Sequence, residues 1–72
     1  MLNKNKLLGA IVSAGMTQKQ VASQMGISKN TFSAKINGKS YFDTDQAEKI
    51  CGIIGITDPA EKANIFLSHS SH

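Results

Sequence analysis

The chain has 72 residues, is 40% hydrophobic and carries eight basic residues, all lysine, against five acidic ones, for a formal net charge of +3. That length supports one small domain and the composition excludes a disordered chain, while no apolar run approaches the ~20 residues that cross a bilayer. A single cysteine, Cys51, excludes an internal disulfide and fits a reducing cytoplasm.

The first predicted helix runs from about Lys4 to Ala14, with Leu7, Leu8, Ile11 and Val12 on one stripe and Gly15 as its stop. The opening MLNKNKLLGAIVSAGM has lysines before an apolar stretch, as a signal peptide does. The stretch is short, broken by Gly9 and Ser13 and continuous with the helical pattern, so it is read as a helix. Thr17 caps the second helix, and Gln20 three residues on completes a capping box. Val21, Ala22 and Met25 form the buried face of that helix, and Gly26 supplies the turn. Ser28 caps the third helix, which turns Phe32 and Ile36 inward and closes at Asn37-Gly38.

Residues 39–42 form a loop, with Phe42 folded back onto the core. Asp43 or Thr44 caps a fourth helix carrying Ala47, Ile50, Cys51 and Ile54, ended by Gly55. Asp58-Pro59-Ala60-Glu61 then starts a fifth, with an acid at the cap and proline at the first helical position, and Ala63, Phe66 and Leu67 facing in. No strand signal or internal repeat is present. The expectation is an all-α, compact five-helix bundle: one helix-turn-helix domain over residues 1–67, with a flexible polar tail over 68–72.

Charge is divided along the chain. Residues 1–42 hold six lysines and no carboxylate, whereas residues 43–72 hold five carboxylates and two lysines, so the halves are +6 and −3. Such a division favours a polyanion at one end. The basic half contains Thr17 to Gly38, which has the layout of a helix-turn-helix. In that motif two helices cross steeply, so small residues belong at the crossing, where Ala22 and Gly26 stand.

With Val21, Met25, Ile27 and Phe32 facing in, Asn30, Ser33, Ala34 and Asn37 fall on the outer face of helix three, and Ser28 and Lys29 lie at its N-terminal tip. Asparagine can pair with adenine, lysine donate to guanine, serine serve either, and an alanine methyl meet thymine. Gln18, Lys19, Lys35 and Lys39 are placed for phosphates, helped by free backbone N–H groups at the helix starts. A face rich in short amides and hydroxyls costs helix propensity, which argues for contact rather than solvation. The chain has no arginine, so the commonest guanine reader is missing. The partner of this face is therefore either double-stranded DNA or another protein surface. A dimer would draw on the bundle itself, around Ile53, Ile56, Ile65 and Phe66.

Other constellations carry less. His69 and His72 have helical ligand spacing, but no third ligand accompanies them, so no metal is expected. Cys51 between apolar neighbours reads as a buried thiol. The carboxylates of 43–48 sit at a helix start, where capping explains them. Tyr41 reads as an exposed loop residue. No catalytic pattern or phosphate loop is present, so neither an enzyme, a cofactor nor a small-molecule substrate is expected.

The segment GMTQKQVASQMGISKNTFSAKINGK resembles the Cro/CI-type (XRE) helix-turn-helix family, through G-x-T-Q, V-A, M-G-I-S and the N-G that closes helix three. With the continuation KSYFDTDQAEKICGIIGITDPAEKANIFL, the chain looks like a subgroup of small regulators from temperate phages of Gram-positive bacteria. The resemblance implies a lambda-repressor-like domain working in the host cytoplasm at the lysis–lysogeny switch, opposing the phage's lysogenic CI-type repressor. It implies operator DNA, the repressor, or both as partners. It also implies backbone contacts for Gln18 and Lys19 and base-edge contacts for Ser28, Lys29, Asn30 and Ser33. Ala34 and Lys35 depart from the family pattern, where a long polar residue and an apolar residue respectively are frequent.

Overall fold

Each helix begins where the sequence offers an oxygen to the otherwise unpaired N–H groups of the first turn. In the computed structural model, which describes residues 2–66, these starts define α1 (Lys4–Ser13), α2 (Gln18–Met25), α3 (Lys29–Ile36), α4 (Thr44–Ile54) and α5 (Pro59–Phe66). The Asn3 side chain accepts from the Lys6 N–H, and that of Ser28 from the Thr31 N–H. Thr17 and Gln20 exchange bonds of 3.1 and 2.8 Å in a complete capping box. Asp43, not Thr44, caps α4 and forms a second box with Gln46. Asp58 accepts from the Ala60 N–H at 3.0 Å, with Pro59 at the first helical position.

The helix ends are equally regular. A positive-φ glycine follows each of the first four helices, and the next residue donates back to the last turn: Met16 to Ile11, Ile27 to Ala22, Lys39 to Ala34 and Ile56 to Cys51. This 6→1 bond closes the helix and turns the chain sharply. At three of the ends the donor is apolar and packs on the core, but after α3 it is the exposed Lys39.

α2 packs against α3 and α4, and α1 against α5 and α2. Phe32 is fully buried at the centre, where hydrophobic transfer of such a ring contributes about 2–3 kcal/mol. Phe42 does fold back: its ring centroid lies 5.7 Å from that of Phe32 and 6.2 Å from that of Phe66. These aromatic contacts hold the 39–42 loop against the bundle.

Three expectations about burial are corrected. Val12 is 74% exposed, because α1 turns about 100° per residue and the stripe through Leu7 and Ile11 leaves Val12 to one side. Ile65 is the fully buried residue of α5, while Ala63 and Phe66 are half-buried. Ile56 and Ile65 both belong to the core, so the dimer surface expected at Ile53, Ile56, Ile65 and Phe66 retains only the half-buried Ile53 and Phe66. Leu67, the tail over 68–72 and the His69/His72 pair lie outside the described residues.

Candidate nucleic-acid interface

The α2–turn–α3 unit is fixed by backbone geometry before any partner arrives. Gly26 adopts φ 79°, and Ile27, half-buried against the core, donates to the Ala22 carbonyl at 3.1 Å. Ala22 itself is 1% exposed, as a crossing residue requires. On α3 the buried arc is Phe32 and Ile36. Lys29 is exposed at the helix start, Asn30 and Thr31 are exposed, Ser33 and Ala34 are half-buried, and Asn37 at the C-cap is exposed. The expected outer face is thus assembled, over a helix of eight residues, or about 12 Å of rise.

The remaining candidates fall around it. Gln18 is half-buried and Lys19 exposed in the first turn of α2, the helix that packs against α3. At the start of each of these helices the first two backbone N–H groups precede the capped one and have no acceptor among the described residues. Lys39 is exposed just past α3.

Several side chains already have protein partners. The Ser28 hydroxyl accepts from the Thr31 N–H and donates to Thr31 Oγ1 at 3.0 Å, so it is committed to the α3 cap. Asn37 Oδ1 accepts from Lys4 Nζ at 2.8 Å. The ammonium of Lys35, expected at phosphates, donates to the Tyr41 carbonyl at 2.9 Å. Tyr41 is 79% exposed beyond it.

Two residues of this surface were missed from sequence. Thr31 shares the exposed arc with Asn30 and stands three residues before Ala34, a spacing that could have revealed it. Lys4 is 33 residues from Asn37, and no local pattern links the two.

The charge division survives folding. Among the described residues, the ion pair is Lys62–Glu48 at 3.0 Å, between α5 and α4, and none of the six lysines of residues 1–42 has a carboxylate within ion-pair distance. Their field is therefore uncompensated at close range, the condition for drawing in a polyanion. Elsewhere, burial pushes the Cys51 thiol up from its ordinary value, with the Lys62 charge pulling the other way. No group of three His, Cys, Asp or Glu side chains able to hold a metal occurs among the described residues. No helix there is long and apolar enough to cross a membrane.

Residues 6–61 match the family of Cro/C1-type HTH DNA-binding domains. No curated protein and no solved structure matches the chain. The match covers most of the sequence and includes all of α2 and α3. The chain belongs to this family, and it is a DNA-binding regulator of the helix-turn-helix class.

Proposed function

From that membership and the geometry of α3, we propose that the chain regulates transcription by laying α3 in the major groove of an operator. Lys29, Asn30, Ser33 and Ala34 meet base edges; Gln18, Lys19 and Lys39 meet phosphates; Ser28 holds the cap and adds its exposed edge. The observation that carries this reading is the exposed tip at Lys29 and Asn30, set among lysines that no carboxylate neutralises. The N-terminal part of a recognition helix enters the groove deepest.

We further propose a role at a temperate phage's lysis–lysogeny switch, opposing the lysogenic repressor. This rests on the likeness of KSYFDTDQAEKICGIIGITDPAEKANIFL, and of the chain as a whole, to the small Cro-like modulator-of-repression protein of lactococcal phages. A second reading, in which the same face packs on the repressor and masks its DNA-binding surface, is favoured by one feature. With no arginine and with Lys35 bonded to the Tyr41 carbonyl, the outer face is a small Asn/Ser/Ala surface that suits protein as well as DNA.

One titration set tests both: the chain against promoter DNA, repressor, and the two together, at two salt concentrations. DNA binding weakens with salt at a slope of about −0.9 per phosphate contact, whereas an interface of ordinary protein composition responds far less. Lys29→Ala with Asn30→Ala removes binding to whichever partner is real. Full binding by that double variant contradicts the assignment of this face.

A further inference from the structure

A DNA-binding surface ordinarily grips two neighbouring acceptors with the planar fork of an arginine. This chain has none. Two residues far apart in sequence supply the same arrangement. Lys4 Nζ donates to Asn37 Oδ1 at 2.8 Å, and both side chains are on the surface. An ammonium has three donors and no acceptor, so it can meet only the oxygen of the carboxamide. The bond therefore orients the amide: Oδ1 faces Lys4, and Nδ2 with its two N–H groups faces away. Oδ1 has two lone pairs, and one of them is taken by Lys4, so the amide group left facing outward is Nδ2 with its donors. What the pair presents outward is chiefly donors, an amide N–H and an ammonium N–H, with a full positive charge.

Both anchors are held by the fold. Asn37 is the C-cap of α3, its own N–H bonded to the Ser33 carbonyl at 2.9 Å. Lys4 opens α1 directly after Asn3, whose side chain caps that helix and whose N–H donates to the Ile65 carbonyl at 2.6 Å. Lys4 and Asn37 are thus each fixed by their own helix, and the bond between them bridges the start of α1 and the end of α3.

We propose that Lys4 and Asn37 form a composite two-donor clamp for one phosphodiester group of DNA, standing in for the absent arginine. The inference rests on the reading of α3 as the groove-facing helix. With the tip of α3 at the bases, its C-cap stands about 12 Å away along the axis, toward the groove wall where phosphate oxygens lie. A two-donor fork fits those oxygens, and phosphate contacts carry no base preference.

The probes are two labelled duplexes, one enriched from a random pool by the wild-type chain and one shuffled, each titrated over a range of salt. Lys4→Met and Asn37→Ala are each expected to weaken both duplexes alike, by about fivefold. The double variant is expected to lose little more than either single one, since each removal dissolves the same fork. Lys4→Met lowers the salt slope by about 1, and Lys4→Arg retains wild-type binding. A merely structural tie between α1 and α3 would lower the melting temperature and leave the salt slope untouched, which overturns the clamp. A changed preference at one base pair in Asn37→Ala overturns it in favour of base reading. If Lys29→Ala with Asn30→Ala weakens binding while Lys4 and Asn37 variants do not, the clamp alone falls. If that tip variant also binds unchanged, the reading of α3 falls with it.

Discussion

Lys35 ties the end of α3 to the loop that follows it: its ammonium donates to the carbonyl of Tyr41 at 2.9 Å. The same ammonium lies 5.8 Å from the centroid of the Phe42 ring. A lysine held this way stabilises the 39–42 loop and has its acceptor within the chain. Lys35→Met is therefore expected to lower stability by about 1 kcal/mol, a few degrees in melting temperature for a domain of this size. It should leave the salt dependence of DNA binding unchanged, in contrast to Lys29→Ala or Lys39→Ala. Thermal melts and salt titrations of the three variants check this, and a reduced salt slope for Lys35→Met would place that ammonium at the DNA after all.

Gly26 makes the corner between α2 and α3 at φ 79°, and a Cβ added there would meet nothing within 4 Å. The cost of Gly26→Ala is accordingly that of the left-handed backbone alone, about 1–2 kcal/mol. Since about 1 kcal/mol moves the midpoint of a small domain by some 4–8 °C, the loss is easily read in a thermal melt. Gly26→Asn should lose less, because asparagine tolerates this conformation better. Equal losses for the two variants would point to crowding instead of backbone conformation.

Much of the scaffold was legible because helix ends carry local chemistry. Thr17 with Gln20, Ser28, Asp58-Pro59 and the glycines at 15, 26 and 55 each marked a boundary from a few neighbouring residues, and the structure places them there. The choice between Asp43 and Thr44 needed the hydrogen bond to the Gln46 N–H to decide it. What escaped was tertiary. Val12 and Ile65 are both apolar, and only the docking of α1 against α5 decides that one is exposed and the other buried. At the candidate site the outer face of α3 followed from helical spacing. The bond from Lys35 to Tyr41 and the bond from Lys4 to Asn37 depend instead on loop and interhelix geometry that no periodicity encodes.

Alkaline pH should unsettle the α4–α5 side of the bundle. Burial raises the Cys51 thiol above its ordinary 9.0, the nearby Lys62 charge acting against this and Glu48 and Glu61 with it. Lys62 is raised above its ordinary 10.5, chiefly by its hydrogen bond to Glu48. For both groups the folded state keeps a proton that the unfolded chain releases sooner. Their contribution is therefore complete below the ordinary values and is lost as pH climbs through the raised ones. Melting temperature should hold up to the ordinary thiol value of 9.0 and decline above it, with the first part of the decline absent in Cys51→Ala. A melting temperature that rises across this range, or an identical decline in the variant, contradicts the assignment.

The reading stands or falls on whether α3 distinguishes bases. The most direct measurement is enrichment of duplexes from a random pool, carried out in parallel with the wild-type chain and with Asn30→Ala. The account predicts that the wild type enriches a defined sequence and that the variant relaxes it at one base-pair position, a loss of about 1–3 kcal/mol in discrimination there, with the other positions retained. Identical sequence preference in the two proteins would contradict it, as would a wild-type chain that enriches no sequence at all.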